Sequence, residues 1–118
     1  MSYGGAEMDI LKPVKAQLEA YNNRDIDKFI INFSENCVVE DGEGNLLMQG
    51  RTTMYESYKK MFEASPNLFC NLQSRIVVGK YVLDEEKVEG RSGNSEISHV
   101  VAVYRVENEE IVHVRFLR

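Results

Sequence analysis

Apolar residues recur at steps of three and four early in the chain and at steps of two in its second half. Ile10, Val14, Leu18 and Tyr21 share one helical face. Pro13 stands in the first turn of that helix, where a missing N–H costs little, and Asn22-Asn23 closes it. Asp25 has the chemistry of an N-cap, and Ile26, Phe29, Ile30 and Phe33 define the face of a second helix. So short a connection predicts two helices packed as a hairpin. Cys37-Val38-Val39-Glu40-Asp41 reads as a short strand, Gly42-Glu43-Gly44-Asn45 as a turn, and Leu46-Leu47-Met48-Gln49 as a second strand ended by Gly50. A third helix is expected from Thr53, which has capping-box spacing to Glu56. Its apolar stripe is Met54, Tyr55, Tyr58, Met61 and Phe62.

From Asn67 the period is two: Leu68, Cys70, Leu72, Ser74, Ile76 and Val78 alternate with their neighbours. Strands are expected over Tyr81 to Glu89, Glu96 to Val106 and Ile111 to Leu117, separated by Gly90-Arg91-Ser92-Gly93-Asn94 and Glu107-Asn108-Glu109. Consecutive strands on short turns make an antiparallel meander, and helices gathered ahead of it indicate an α+β fold. The expected object is a curved antiparallel sheet with three helices against its concave face. The open end of such a wrap is a common place for a small-molecule pocket.

A length of 118 residues fits one domain. Met1 to Glu7 carries Gly4-Gly5 and no hydrophobic anchor, so residues 1–8 are expected to form a disordered tail and 9–118 the domain. With 43% hydrophobic and 28% charged residues the chain has enough apolar side chain to fold. Its bases are scattered and outnumbered, 14 against 19 acids, which argues against a nucleic-acid partner. The longest apolar run, Val100 to Tyr104, is far too short to span a bilayer, and no secretory pattern opens the sequence. No membrane partner and a cytoplasmic location are therefore expected. Cys37 and Cys70 fit neither a disulfide scaffold nor a CxxC motif; buried thiols are the simpler reading, with a bridge between them left open.

The order of elements resembles the nuclear transport factor 2-like superfamily, which is cystatin-like in fold, and within it the ketosteroid isomerase and SnoaL-like branch. The likeness is carried by Ala20-Tyr21-Asn22-Asn23-Arg24-Asp25-Ile26-Asp27, by Val38-Val39-Glu40-Asp41-Gly42, by Gly50-Arg51, and by Tyr104-Arg105-Val106 running on to Ile111-Val112. It covers residues 9 to 118. It implies a cone-shaped barrel with an apolar pocket at its open end, and a homodimer formed through the outer sheet face. It also implies a general-base aspartate after the first short strand, where Asp41 stands. The isomerases' catalytic tyrosine matches Gln17, and their protonated oxyanion-hole aspartate matches Ala102. Loss of one oxyanion donor costs about 100- to 1,000-fold in rate. The likeness therefore does not extend to steroid isomerisation itself.

With Ala102 facing the pocket, Ser98, Val100 and Tyr104 share its face, and His99 points outward, as does His113 opposite Val112, Val114 and Phe116. The expected pocket wall thus includes Gln17, Ala102, Tyr104, Val114 and Phe116. Tyr21, Tyr55, Tyr58 and Phe62 stand at core spacing and are the aromatic candidates for ligand contact. His99, Val101, Val103 and His113 suit the dimer face better than a metal site, for which a third ligand is missing. His99 as a general base is a lesser alternative that the resemblance to dehydratases of this fold implies. Asp41, Glu43 and Asn45 begin like a calcium loop, but Leu46 and Thr52 occupy the positions of its glycine and last glutamate. No metal and no cofactor are expected. Ser98 and His99 point to opposite faces, which removes a serine nucleophile. Arg105, Arg115 and Arg118 read as a sheet face paired with acids.

Asp41 is the catalytic candidate: a carboxylate at a strand end facing an apolar cavity has a raised pKa and can shuttle a proton. The competing reading is that it caps the turn it begins. The expected function is isomerase-, cyclase- or dehydratase-type acid–base chemistry on a small apolar molecule. The alternative is a non-catalytic small-ligand-binding or dimeric interaction domain.

Overall fold

The structure is a computed structural model that describes residues 10–118; the tail expected over residues 1–8 lies outside the described residues. Helix α1 spans Leu11–Asn22 and helix α2 Ile26–Ile30. Strands β1 (Phe33–Asp41) and β2 (Leu46–Gln49) precede helix α3 (Arg51–Glu63). Then come β3 (Phe69–Val78), β4 (Tyr81–Glu89), β5 (Ser98–Glu107) and β6 (Glu110–Leu117). All six strands form one sheet in the order β2-β1-β6-β5-β4-β3.

The sheet is curved, unclosed and covered on its concave face by the three helices. The meander β3 to β6 is antiparallel throughout, as the turns require. The expectation of an antiparallel sheet needs one refinement. Strand β1 joins β6 in parallel, Val39 beside Val114 and Asp41 beside Phe116, so the sheet is mixed. Between β1 and β6 the chain passes through β2, α3 and strands β3 to β5, and that long return permits a parallel partner.

Strands β1, β5 and β6 start at Phe33, Ser98 and Glu110, not at Cys37, Glu96 and Ile111, and two shifted boundaries have a clear backbone cause. Phe33 was expected on the second helix but starts β1. The Asn32 amide donates to the Lys28 and Phe29 carbonyls, ending α2, and the Asn32 carbonyl accepts from Ile111 N–H at 2.9 Å, committing the backbone to the sheet. Helix α3 starts at Arg51, not Thr53, and no side chain caps it. Gly50 serves instead: with φ at +91° its N–H donates to the Cys37 carbonyl and its carbonyl accepts from Met54. A residue with a Cβ is disfavoured there. At α2, Asp25 caps as expected, accepting from Lys28 N–H at 3.1 Å.

The core lies between helices and sheet. Val14, Phe29, Phe33, Met54, Leu68 and Ile111 are among its most buried members. Phe29 is its hub, with ring centroids 4.7 Å from Tyr58, 4.9 Å from Phe33 and 5.5 Å from Phe62. Strand β3 does not keep strict alternation. A register shift between Leu72 and Ser74 turns Ile76 and Val78 outward and Arg75 inward. At the start of this edge strand the Asn22 amide behaves like a neighbouring strand, accepting from Cys70 N–H at 2.8 Å and donating to its carbonyl at 3.1 Å. Among the described residues no helix is long and apolar enough to cross a membrane.

Candidate functional site

The helices do not fill the concave face. A cavity of about 340 Å³ remains between α1, α3 and the middle of the sheet. Its walls are largely apolar: Leu18, Phe29, Met61, Val88, Val100 and Val114 contribute. Gln17, Tyr21, Tyr58, Tyr104, Val114 and Phe116 line it. Three residues expected with them do not. Tyr55 packs against the core, Phe62 is spent in the aromatic cluster, and Ala102 is fully buried in the core.

Asp41 requires a correction. Its pairing with Phe116 puts it at the rim, but its carboxylate does not look inward and it is not part of the cavity wall. Oδ1 accepts from the Glu43 and Asn45 backbone N–H groups, both at 2.9 Å, and Oδ2 from the Asn45 side-chain amide at 2.9 Å. Those bonds, the Asn45 side chain first, hold its pKa below the ordinary value. The short Gly-Glu-Gly-Asn turn supplies donors closer than any cavity group, and the carboxylate takes them. A depressed pKa makes it a weaker base.

The carboxyl group that does face the cavity belongs to Glu86 on β4. It is 5% exposed, and its pKa is raised from 4.5 to about 7. Burial is the main cause and the nearby Asp84 carboxylate the second; a hydrogen bond from Cys70 and the Arg75 charge act in the opposite sense. Asp84 itself is fully buried and held bidentately by Arg75, Nε to Oδ1 at 2.7 Å and Nη2 to Oδ2 at 2.9 Å. Arg75 thus neutralises one of the two inward acids on β4 and leaves the other, Glu86, to hold a proton. The sequence contained a signal for this. In Tyr81 to Glu89 the alternate residues Val82, Asp84, Glu86 and Val88 share one face, and the two valines identify it as the inner one.

Around Glu86 stand a thiol, a phenol and an amide. Cys70 is buried and its thiol pKa is pushed up by burial and by Glu86, so it is a neutral donor. Gln17 Nε2 donates to the Val14 carbonyl at 3.1 Å and to Tyr104 Oη at 3.0 Å. Because Tyr104 Oη accepts that bond, its own proton is available to an acceptor in the cavity. Burial raises the Tyr104 pKa well above the ordinary value and that of Tyr58 to about 12, so both phenols are proton donors at neutral pH. Cys37, its pKa pushed up to about 12 by burial, lies in the core and does not line the cavity.

The histidines lie on the outer sheet face. His99 Nε2 contacts Glu85 Oε2, and His113 Nε2 contacts Glu40 Oε1, each at 2.8 Å. Arg115 reaches Glu40 and Arg105 reaches Glu107 as expected, but Arg118, expected to be paired with them, lies over the Phe116 ring instead of an acid. Both cysteines are free. Among the described residues no three His, Cys, Asp or Glu side chains converge as a metal set.

This geometry has relatives. A family model described as a SnoaL-like domain matches residues 14–114. A cystatin-fold protein from Novosphingobium aromaticivorans is 26% identical, with a TM-score of 0.84 over 92% of this chain and 97% of that one. A protein provisionally named a polyketide cyclase, from Sinorhizobium meliloti, is 21% identical with a TM-score of 0.75, over 88% and 92% of the two chains. An LEH-like epoxide hydrolase from M. tuberculosis is 18% identical with a TM-score of 0.81, over 93% and 82%. No curated protein matches the sequence.

Proposed function

The chain belongs to the SnoaL-like domain family, and from that premise we propose that its cavity takes a compact apolar molecule and that Glu86 moves a proton on it. One observation carries this reading: a carboxyl with a pKa near 7 faces an apolar cavity, beside phenols that remain protonated. A base works best when its pKa lies near the working pH. Ionised Glu86 takes a proton from a carbon next to a carbonyl; the Tyr104 phenol donates a hydrogen bond to the carbonyl oxygen as charge builds on it; Glu86 then returns the proton to the same or a conjugated carbon. This is isomerase- or cyclase-type chemistry with the base on β4 instead of at Asp41. The polyketide cyclase and epoxide hydrolase neighbours share the fold at low identity, and they support a catalytic use of such a cavity without naming a substrate.

The test is hydrogen–deuterium exchange into a small cyclic ketone such as α-tetralone, followed by NMR in D2O. Wild-type protein is expected to accelerate exchange with an inflection near pH 7. Glu86→Gln is expected to lose about a hundredfold or more of that acceleration, and Asp41→Asn to leave it unchanged. Equal exchange by wild type and Glu86→Gln would remove the base role and leave a binding domain.

We further propose that two copies associate through the outer sheet face. Leu83, Val101 and Val103 lie half-buried in its middle, and Ile76, Val78 and Tyr81 are exposed beside them. Half-buried apolar residues on a sheet face with no covering element favour a second sheet.

A further inference from the structure

The cavity wall holds three ionisable residues of fixed charge type or near-neutral pKa: Glu86, Arg91 and Arg118. Glu86 is deep, while both arginines are exposed and stand at the rim. Every other arginine of the described residues has a partner for its guanidinium. Arg24 and Arg51 donate to backbone carbonyls, Arg75 to Asp84, Arg105 to Glu107 and Arg115 to Glu40. Arg91 and Arg118 have no such acceptor among the described residues. In a chain of net charge −5, two uncompensated guanidiniums on one cavity rim form a local positive site.

The backbone that carries Arg91 and the side chain of Arg118 are held in place. Arg91 begins a 3-10 turn, Arg91–Gly93, that is locked from two sides. Gly90, at φ +77°, packs so closely on Asn67 that an added Cβ would lie 2.2 Å from its carbonyl oxygen. The backbone N–H of Ser92 donates to the hydroxyl of fully buried Ser65 at 2.7 Å. Arg118 lays its guanidinium over the ring of Phe116, itself part of the wall, at 5.5 Å from the centroid. Both arginines line the same cavity as Tyr58, and their charges oppose the rise that burial gives its phenol pKa.

We infer that the cavity's ligand is a monocarboxylate with an apolar ring or chain, its carboxylate gripped at the rim by Arg91 and Arg118 and its apolar body inside. This rests on the pocket reading above and names the ligand class for it. The guanidinium fork matches a carboxylate bidentately. With Glu86 ionised the three residues sum to a single positive charge, which one carboxylate balances. The apolar wall accepts the rest of the molecule, and the Tyr104 phenol offers a donor to a carbonyl or hydroxyl at its far end.

The experiment compares 2-naphthylacetate with its neutral counterpart 2-naphthylacetamide, each displacing the uncharged fluorescent probe N-phenyl-1-naphthylamine from the full chain. Wild type is expected to bind the acid about tenfold or more tightly than the amide. The double substitution Arg91→Gln/Arg118→Gln is expected to bring that ratio to about one by weakening the acid, and each single substitution to lower it in part. Both residues are exposed, and circular dichroism verifies that the variants stay folded. An amide bound as tightly as the acid by wild type, or a preference that survives the double substitution, overturns the inference and leaves the pocket reading standing. Failure of probe, acid and amide alike to enter the wild-type cavity overturns both.

Discussion

Glu86 couples the site to the stability of the whole chain. Its carboxyl ionises near 4.5 when exposed and near 7 when buried in the fold. Between those values the folded chain holds a proton that the unfolded chain has lost, so this residue's contribution to stability falls as pH rises through the window. The shift corresponds to roughly 3 kcal/mol. Urea titrations from pH 4 to 8 are expected to show Glu86→Gln gaining stability relative to wild type across that range, with little difference at pH 4. A constant difference between the two proteins would place Glu86 in a more solvated position. The carboxylates of Glu40, Asp41, Glu85 and Glu107 run the other way: each has a depressed pKa, so each stabilises at neutral pH and loses its contribution in acid. At this scale the sequence pointed to Asp41, whereas the acid that faces the cavity is Glu86. Asp41 and Glu86 both lie on strands with inner and outer faces. Asp41 is followed by a turn that consumes its oxygens, whereas Glu86 is flanked in alternation by Val82, Asp84 and Val88, which carry it inward. Alternation places a side chain; local donors then decide where its polar end goes.

Elements were legible where their periodicity was long and vague where a single backbone interaction decided. Strand β4 runs over Tyr81–Glu89, the span its pattern predicts, and α1 ends at Asn22. The end of α2 and the start of α3 depended on the Asn32 amide and on Gly50, neither of which alters the apolar period. The 3-10 turn is a sharper case, because its glycine-rich sequence shows a turn but not what the turn rests on. Gly90→Ala is expected to cost at least about 2 kcal/mol, from the left-handed backbone and the collision with the Asn67 carbonyl. Thermal denaturation measures it, and an unchanged melting temperature would mean that the Asn67 loop yields easily. Gly79 lies at φ +58° with nothing within 4 Å of an added Cβ, so alanine there meets only the backbone preference and is the matched control.

At the scale of the molecule the order and packing of elements followed from patterning and resemblance, while the parallel β1–β6 pair did not, because pairing between distant segments leaves no local period. The proposed dimer belongs to this scale as well. Leu83 and Val103 are paired across β4 and β5 in the middle of the outer face. Sedimentation at micromolar concentration is expected to show a dimer for wild type and a monomer for Leu83→Arg/Val103→Arg, since two buried like charges on each copy oppose association. A wild-type monomer would leave that face to solvent.

A sheet that never closes has two raw borders, and β3 forms the longer one. Its backbone amides and carbonyls could template strand after strand of identical chains into a fibril. The Asn22 amide already occupies the first rung, at Cys70, and the register shift between Leu72 and Ser74 breaks the ladder just beyond it. What remains for an incoming chain is the short stretch from Ser74 to Val78. The same kink that swings Arg75 in to quench Asp84 therefore also blunts this border against runaway self-assembly.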